Sequence, residues 1–154
     1  MSEELNKYDK IYDAIVPIGQ DCSVAGGLVL LNYRNYSLPF DWCGSWMLFV
    51  NKIFLNNFEN FFPKPNEMKP YKKTKITNNE GIANFLHDGS FEKLKNIENN
   101  NIVQEKYKKR CNRLLDLLNN SENNVLFVRI NYCSDLEDEL NECKKLSSII
   151  KDKY

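Results

Sequence analysis

The stretch IYDAIVPIGQDCSVAGGLVLLNY, residues 11–33, decides the fold more than any other part of the chain. Its first part, Ile11 to Ile18, is a short apolar run rich in β-branched residues and ends at Gly19, a pattern typical of a buried strand. Asp21 is a residue type that often caps helices, and the residues from Cys22 to Tyr33 predict the first helix. The stretch is therefore predicted to fold as a strand, a turn and a helix.

Two adjacent glycines, Gly26 and Gly27, lie within this predicted helix. Each costs about 1 kcal/mol relative to alanine in a helix interior. The pair therefore predicts either close packing of the helix against another backbone or a helix that ends elsewhere.

The other elements are predicted from apolar periodicity and capping signals. Apolar runs predict strands at Ile82 to His87 and at Val125 to Ile130. Helical spacing predicts amphipathic helices over residues 45–56 and 102–119. A last helix is predicted to begin at the capping box Ser134-Asp-Leu-Glu137.

The connecting segments are predicted to lie on the surface. Residues 1–9 are polar and predict a solvated leader, and three prolines predict a long surface loop over residues 63–80. Strands that alternate with helices indicate a parallel sheet with helices on its faces. We therefore predict a single α/β domain over residues 1–154, with three layers and a mostly parallel sheet of about three to four strands flanked by helices.

Composition narrows the classes of function. The 154 residues are 42% hydrophobic, which is enough for one core. Lys and Arg together number 21, as do Asp and Glu, so a net charge of zero gives no signature for nucleic acid or an anionic membrane. No segment approaches the ~20 apolar residues of a membrane span, and the N-terminus lacks a signal-peptide core. We predict a cytoplasmic protein without nucleic-acid or membrane partners; the sequence gives no indication of its oligomeric state.

The five cysteines have to be judged one by one. Their odd number and the absence of CxxC pairs argue against a disulfide framework or a four-cysteine zinc site. No metal or organic cofactor is predicted, because HExxH, GxGxxG, GxSxG and the phosphate-binding loop are absent. Cys111 and Cys143 lie on apolar helix faces, whereas Cys43 and Cys133 lie in loops without an activating partner.

Cys22 has the strongest chemical context of the five. It follows a strand and opens a helix, and the N–H groups and partial positive charge of a helix N-terminus favour a thiolate. The same N–H groups, together with the side-chain amide of Gln20, are candidate donors to an oxyanion. The alternative is that Cys22 is a small residue packing the helix against the sheet.

His87 is the only histidine and therefore the only imidazole available to Cys22 as a base. Both residues follow strands, so we expect them at the same edge of a parallel sheet. Asp88, Asp41 and Asn131 are the candidates for a residue that orients the imidazole. The alternative is a structural histidine that bonds to Asp88.

Two charged residues lie in apolar surroundings. Asp41 stands between Phe40 and Trp42, where it either serves the site or fixes its loop through a turn contact. Arg129 lies inside an apolar predicted strand, where an unpaired charge is costly. It is a candidate for binding a substrate carboxylate or phosphate, but we expect it to form a structural salt bridge with Asp41 or Asp88.

These motifs resemble those of a known family. The run from Tyr12 to Trp42 is similar to the opening of the papain-like cysteine peptidases that are grouped as a domain family of unknown function. The shared pattern is G-x-x-C at a helix start, then PFDW, then an HD pair after a strand, then a strand reading FVR. In this chain the pattern falls on Gly19 and Cys22, residues 39–42, His87 and Asp88, and residues 127–129.

The resemblance implies a nucleophile at Cys22 and a base at His87. The leading hypothesis is therefore a cysteine-dependent hydrolase or acyl transferase of the papain-like peptidase type, acting on an unidentified peptide or other acyl compound. Two alternatives remain. One is a non-catalytic module that binds an anionic ligand at the helix N-terminus and Arg129. The other is a glycan-modifying enzyme that uses Asp41 and Asp88.

Overall fold

The computed structural model describes residues 11–71, 75–132 and 135–154, so the predicted leader, Cys133 and Ser134 lie outside the described residues. The strands and helices follow one another in this order: β1 (Ala14–Pro17), α1 (Ser23–Leu30), β2 (Cys43–Ser45), α2 (Met47–Leu55), β3 (Met68–Tyr71), β4 (Lys75–Asn78), β5 (Ala83–Phe85), α3 (Phe91–Leu94), α4 (Ile97–Asn119), β6 (Val125–Val128) and α5 (Leu136–Lys153).

The described strands form two sheets. β1 and β6 pair in parallel, with Ala14 opposite Val125 and Pro17 opposite Val128. The other four strands form an antiparallel sheet in the order β2-β5-β4-β3. The predicted mixture of helices and strands is confirmed, but the prediction of a mostly parallel sheet is wrong, because the antiparallel sheet holds most of the described strands.

The segment predicted as a surface loop, residues 63–80, contains the antiparallel hairpin β3–β4. Pro70 is tolerated in β3 because β3 is the edge strand of its sheet, where a missing N–H need not interrupt a ladder. Asn78 then closes the turn into β5, since its Oδ1 accepts hydrogen bonds from the N–H groups of Ile82 and Ala83. Of the three prolines that predicted a loop, Pro70 therefore lies in an edge strand, and Pro63 and Pro65 precede that strand.

The helices follow the predicted periodicity, with shifted ends. α1 ends at Leu30, earlier than predicted. α4 begins at Ile97, earlier than predicted, because the Asn96 side chain caps its first turn. α5 is capped by the side chain of Asp135. Within the described ranges, no helix combines the length and the apolar character that crossing a membrane requires.

The glycine pair does not pack as predicted. Gly26 and Gly27 both lie inside α1, but a Cβ added at either would meet no atom within 4 Å in the described part of the chain. α1 is buried instead through three apolar side chains, Val24, Ala25 and Leu28. The expected contact with another backbone is therefore wrong for this chain.

Aromatic rings join α4 to the antiparallel sheet. The ring centroid of Phe62 lies 4.8 Å from that of Phe85 in β5 and 5.2 Å from that of Tyr107 in α4. Phe61 also stacks on Tyr107, with centroids 5.2 Å apart. Offset-stacked and edge-on ring pairs add stability beyond the burial of their area. This cluster fixes the end of β5, and so the start of the segment that carries His87.

Candidate active site

The two sheets meet where the chain after β1 passes β2. The carbonyl oxygen of Gly19 accepts hydrogen bonds from the backbone N–H of Ser45 at 3.0 Å and from its hydroxyl at 3.3 Å. The next carbonyl, that of Gln20, lies so close to Gly44 that an added Cβ would be 2.4 Å from its oxygen. Gly19 therefore lies beside Ser45 and Gln20 beside Gly44, so the two segments run antiparallel. We call this contact of residues 19–20 with 44–45 the junction.

The Arg129 side chain links the two segments that meet at the junction. Its Nη1 donates to the carbonyl oxygens of Ile18 and Ser45, the latter at 2.6 Å. Its Nε donates to a carboxylate oxygen of Glu139 in α5. The Arg129 side chain is only 10% exposed. Arg129 therefore forms a structural salt bridge, as expected, but the predicted partners, Asp41 and Asp88, are wrong, because Glu139 in α5 supplies the carboxylate.

Cys22 occupies the N-cap position of α1, directly after the junction. Its side chain is half-buried and makes no capping hydrogen bond. Asp21, the predicted cap, accepts a hydrogen bond from the backbone N–H of Ser23 at 2.8 Å. Burial opposes ionisation of Asp21, but hydrogen bonds from Ser23 and Tyr132 outweigh it and lower the pKa of the carboxyl. An ionised carboxylate therefore braces the turn that presents Cys22.

The residues that follow β6 bond to Gln20, in the turn between β1 and α1. The backbone N–H of Gln20 donates to the Ile130 carbonyl oxygen at 3.1 Å, and the backbone N–H of Tyr132 donates to Gln20 Oε1 at 3.1 Å. The oxygen end of the Gln20 amide is thereby fixed, so its donor hydrogens are carried by Nε2. Asn131 lies half-buried between these two contacts.

His87 is exposed and lies beyond the end of β5. Its ring packs edge-on against Trp42, with centroids 5.5 Å apart and an interplanar angle of 68°. Trp42 directly precedes β2. In the described part of the chain, Cys22 makes no side-chain hydrogen bond with His87. Cys22 follows one segment of the junction, and His87 follows β5, the strand that pairs with β2.

Asp88 is directed away from the site. Its side chain is 2% exposed and accepts a hydrogen bond from the Tyr107 hydroxyl at 2.6 Å. Its other oxygen forms an ion pair with Lys106. Burial raises the pKa of the Tyr107 hydroxyl well above its usual value, and the Asp88 charge adds to the shift. Both oxygens of Asp88 therefore tie the end of β5 to α4.

Asp41 is also 2% exposed, and its contacts are local. It accepts hydrogen bonds from Arg34 Nε at 2.9 Å and from the backbone N–H of Leu38 at 3.1 Å. Burial raises the pKa of Asp41 despite these bonds, which act in the opposite direction. The Arg34 guanidinium also lies 5.8 Å from the Trp42 ring. Asp41 thus fixes the PFDW segment that carries Trp42.

The burial of Asp41 and Asp88 bears on the alternative of a glycan-modifying enzyme. Glycoside cleavage by paired carboxylates requires both to face the sugar. Asp41 and Asp88 are both buried and bonded within the fold, which argues against that alternative.

The other described cysteines have raised thiol pKa values. Cys43 is fully buried in β2, contrary to the predicted loop position, and burial raises its pKa. Burial raises the pKa of Cys111 to about 12 and also raises that of Cys143, where Glu139 adds to the shift. Such thiols are weak nucleophiles near neutral pH. Among the described residues, no group of three or more His, Cys, Asp or Glu side chains is arranged to bind a metal ion.

Two residues at the site were not singled out as functional from the sequence. Trp42 supports the His87 ring, and Tyr132 fixes the Gln20 amide. The sequence indicated these residues only by their positions, since Trp42 directly follows Asp41 and Tyr132 follows the end of a strand. Neither contact could be predicted from the sequence, because each joins segments that are distant along the chain.

Comparison with known protein families identifies the family of this chain. The family model described as "Putative papain-like cysteine peptidase (DUF1796)" matches residues 13–154. No curated protein and no solved structure matches the chain. The matched range contains the junction, the PFDW segment, His87 and β6. Because the match covers nearly the whole sequence, the chain belongs to the putative papain-like cysteine peptidase family.

Proposed function

We propose that this protein is a cysteine-dependent hydrolase or acyl transferase in which Cys22 is the nucleophile and His87 is the base. The observation that carries the proposal is the junction. It brings Gln20, two residues before Cys22, against Gly44, two residues after Trp42, and the Trp42 ring contacts His87. Membership of a family described as putative cysteine peptidases supports a cysteine nucleophile.

The proposed reaction is acyl transfer through a thioester. His87 takes the proton of the Cys22 thiol as Sγ bonds to the acyl carbon, and the carbonyl oxygen becomes an oxyanion. His87 then gives that proton to the leaving group as its bond to the acyl carbon breaks. Water or another acceptor attacks the thioester and releases Cys22, so no oxidant or cofactor is needed.

The oxyanion donors are proposed to lie on the β6 side of Cys22. The backbone N–H of Tyr132 donates to Oε1 of the Gln20 amide and so fixes its orientation, and Nε2 is the proposed donor to the oxyanion. The Ser23 N–H already bonds to Asp21, so the next N–H groups in the first turn of α1 would supply the rest. Losing one such donor typically lowers kcat about a hundredfold.

The orienting role is proposed to differ from the sequence expectation. Asn131 lies at the end of β6, whereas His87 follows β5 on the other side of the junction. Asn131 is thus better placed to hold a substrate carbonyl than to orient the imidazole. Asp88 is engaged with α4. We assign the orientation of the His87 ring to its edge contact with Trp42.

A quenched-fluorescent peptide library tests the proposal. We expect turnover in the wild type, none in Cys22→Ala, and a loss of about a thousandfold in His87→Ala. Cys143→Ala is the matched control, because this half-buried thiol lies in α5 away from Cys22, and it should keep full activity. Turnover that survives Cys22→Ala would contradict the proposal. Ligand binding that is unchanged in Cys22→Ser, with no turnover of any substrate, would favour the non-catalytic binding module.

A further inference from the structure

Basic residues are concentrated in one run of α4, KYKKRCNR, residues 106–113. The protein as a whole has as many acidic as basic residues, 21 of each. The zero net charge therefore conceals a local excess of positive charge on one helix.

Four of these residues share a groove. Lys106, Lys109, Arg110 and Arg113 follow the spacing of a single helix face and line a shallow groove of about 690 Å³. Ser37 lies on the facing side, where its carbonyl oxygen accepts a hydrogen bond from Arg113 Nη1 at 2.5 Å. We call this surface the basic groove.

Most of this charge has no acidic partner within the described chain. Lys106 pairs with Asp88, but no described carboxylate forms an ion pair with Lys109, Arg110 or Arg113. Glu105 also lines the groove, and its carboxylate lies 3.9 Å from Lys108. Adjacent cations repel one another, so an anionic partner in the groove would be favourable.

The basic groove is linked to the segments that carry the candidate site. At one end, Lys106 holds Asp88, the residue after His87. On the facing side, the segment that contains Ser37 begins at Arg34, whose guanidinium lies against the ring of Trp42. The two walls of the groove are thus each bonded to a segment that carries a residue of the candidate site, His87 or Trp42.

We propose that the basic groove binds an extended acidic peptide segment next to the scissile bond; that this segment belongs to a substrate rests on the function proposed above. A helix rises 1.5 Å per residue, so Lys109 and Arg113 lie about 6 Å apart along the axis. Side chains on one face of an extended peptide repeat every ~6.6 Å. The groove thus fits two acidic residues separated by one other residue, with Arg110 between the two carboxylates.

Equilibrium binding tests the proposal without turnover. Fluorescein-labelled peptides containing Glu-Ala-Glu or Gln-Ala-Gln are titrated with Cys22→Ala protein, and their anisotropy is followed. We expect the acidic peptide to bind at least about tenfold more tightly at low salt, and the preference to shrink as salt is added.

Charge reversal on α4 identifies the surface. Lys109→Glu combined with Arg113→Glu should abolish the preference and favour a Lys-Ala-Lys peptide. Lys109→Glu alone should lower the preference for the acidic peptide about threefold. Because Lys109 is exposed and forms no ion pair with a described carboxylate, this single variant should fold normally even if the Arg113 change disturbs folding. The matched control is Lys144→Glu with Lys151→Glu, which makes the same charge change on α5 and should keep the preference.

Three results would overturn the proposal. These are equal binding of the two peptides, equal losses in the α4 and α5 double variants, and an oligonucleotide that displaces the acidic peptide at lower concentration. A preference that persists in a protein whose Cys22 proves unreactive would support the groove and contradict the proposed chemistry, so the two failures are distinguishable.

Discussion

The two sheets differ in how firmly they are built, and the candidate site depends on both. The antiparallel sheet is backed by aromatic rings, and Ile76, Ala83 and Phe85 are fully buried. In the parallel pair, β1 is mostly buried, but every residue of β6 is only half-buried. Cys22 follows β1, which pairs with this half-buried strand, and His87 follows β5, which lies between two strands of the antiparallel sheet. The alignment of the proposed catalytic pair therefore depends on the junction between the sheets, which a few named contacts hold.

Removing Arg129 should weaken the junction most. Arg129→Ala deletes the bridge between the carbonyl oxygens of Ile18 and Ser45 and leaves Glu139 without its partner. We expect the free energy of unfolding to fall by about 3 kcal/mol, as measured by urea denaturation. Lys52→Ala, which breaks an exposed pair with Glu80, is the control and should change it by less than about 0.5 kcal/mol. Similar values for the two variants would show that the bridge does not hold the sheets together.

A pair of glycine substitutions should act in opposite directions. Gly44→Ala forces the Gln20 carbonyl away, and we expect a loss of about 2 kcal/mol in the free energy of unfolding together with altered alkylation of Cys22. Gly26→Ala has open space around it and improves helix propensity, so we expect a gain of about 0.5–1 kcal/mol. Urea denaturation of both variants checks the signs. If Gly44→Ala is neutral, the close approach at the junction is not required.

Alkaline pH should destabilise the fold through the buried thiol of Cys111 in α4. Burial raises the pKa of Cys111 from 9.0 to about 12, so the unfolded chain loses this proton first and stability falls as pH rises between those values. The contribution of Cys111 is about 1 kcal/mol by pH 10. Cys111→Ala should therefore show a smaller decline in unfolding free energy between pH 8 and pH 10 than the wild type. Equal declines would mean that this thiol does not contribute to the pH dependence.

The parallel pair was predictable because each of its strands is a continuous apolar run, which is recognisable without its partner. The antiparallel sheet was largely not predictable. β2 consists of Cys43, Gly44 and Ser45, which have little intrinsic strand preference, and β3 contains Pro70. These segments become strands because their neighbours supply the pairing, and single-sequence patterns do not carry that information.

The candidate site shows the same limit. The position of Cys22 at a helix start follows from local patterns, and so does the place of His87 after a strand. The hydrogen-bond and ion-pair partners of the charged residues do not follow from local patterns. Asp88 bonds to α4 and Arg129 bonds to Glu139 of α5, and both contacts depend on how distant helices pack. Likewise, the net charge gave no indication of the basic groove, since it sums over all surfaces.

The central claim is that His87 activates Cys22. Its most direct test is the rate at which iodoacetamide alkylates Cys22 as pH is varied, with the labelled site assigned by mass spectrometry, in the wild type and in His87→Ala. We predict that wild-type Cys22 reacts near neutral pH more than about tenfold faster than Cys111 or Cys43, and that His87→Ala removes most of this advantage. A Cys22 that is inert, or that reacts with the same rate and pH dependence in both proteins, would contradict the claim.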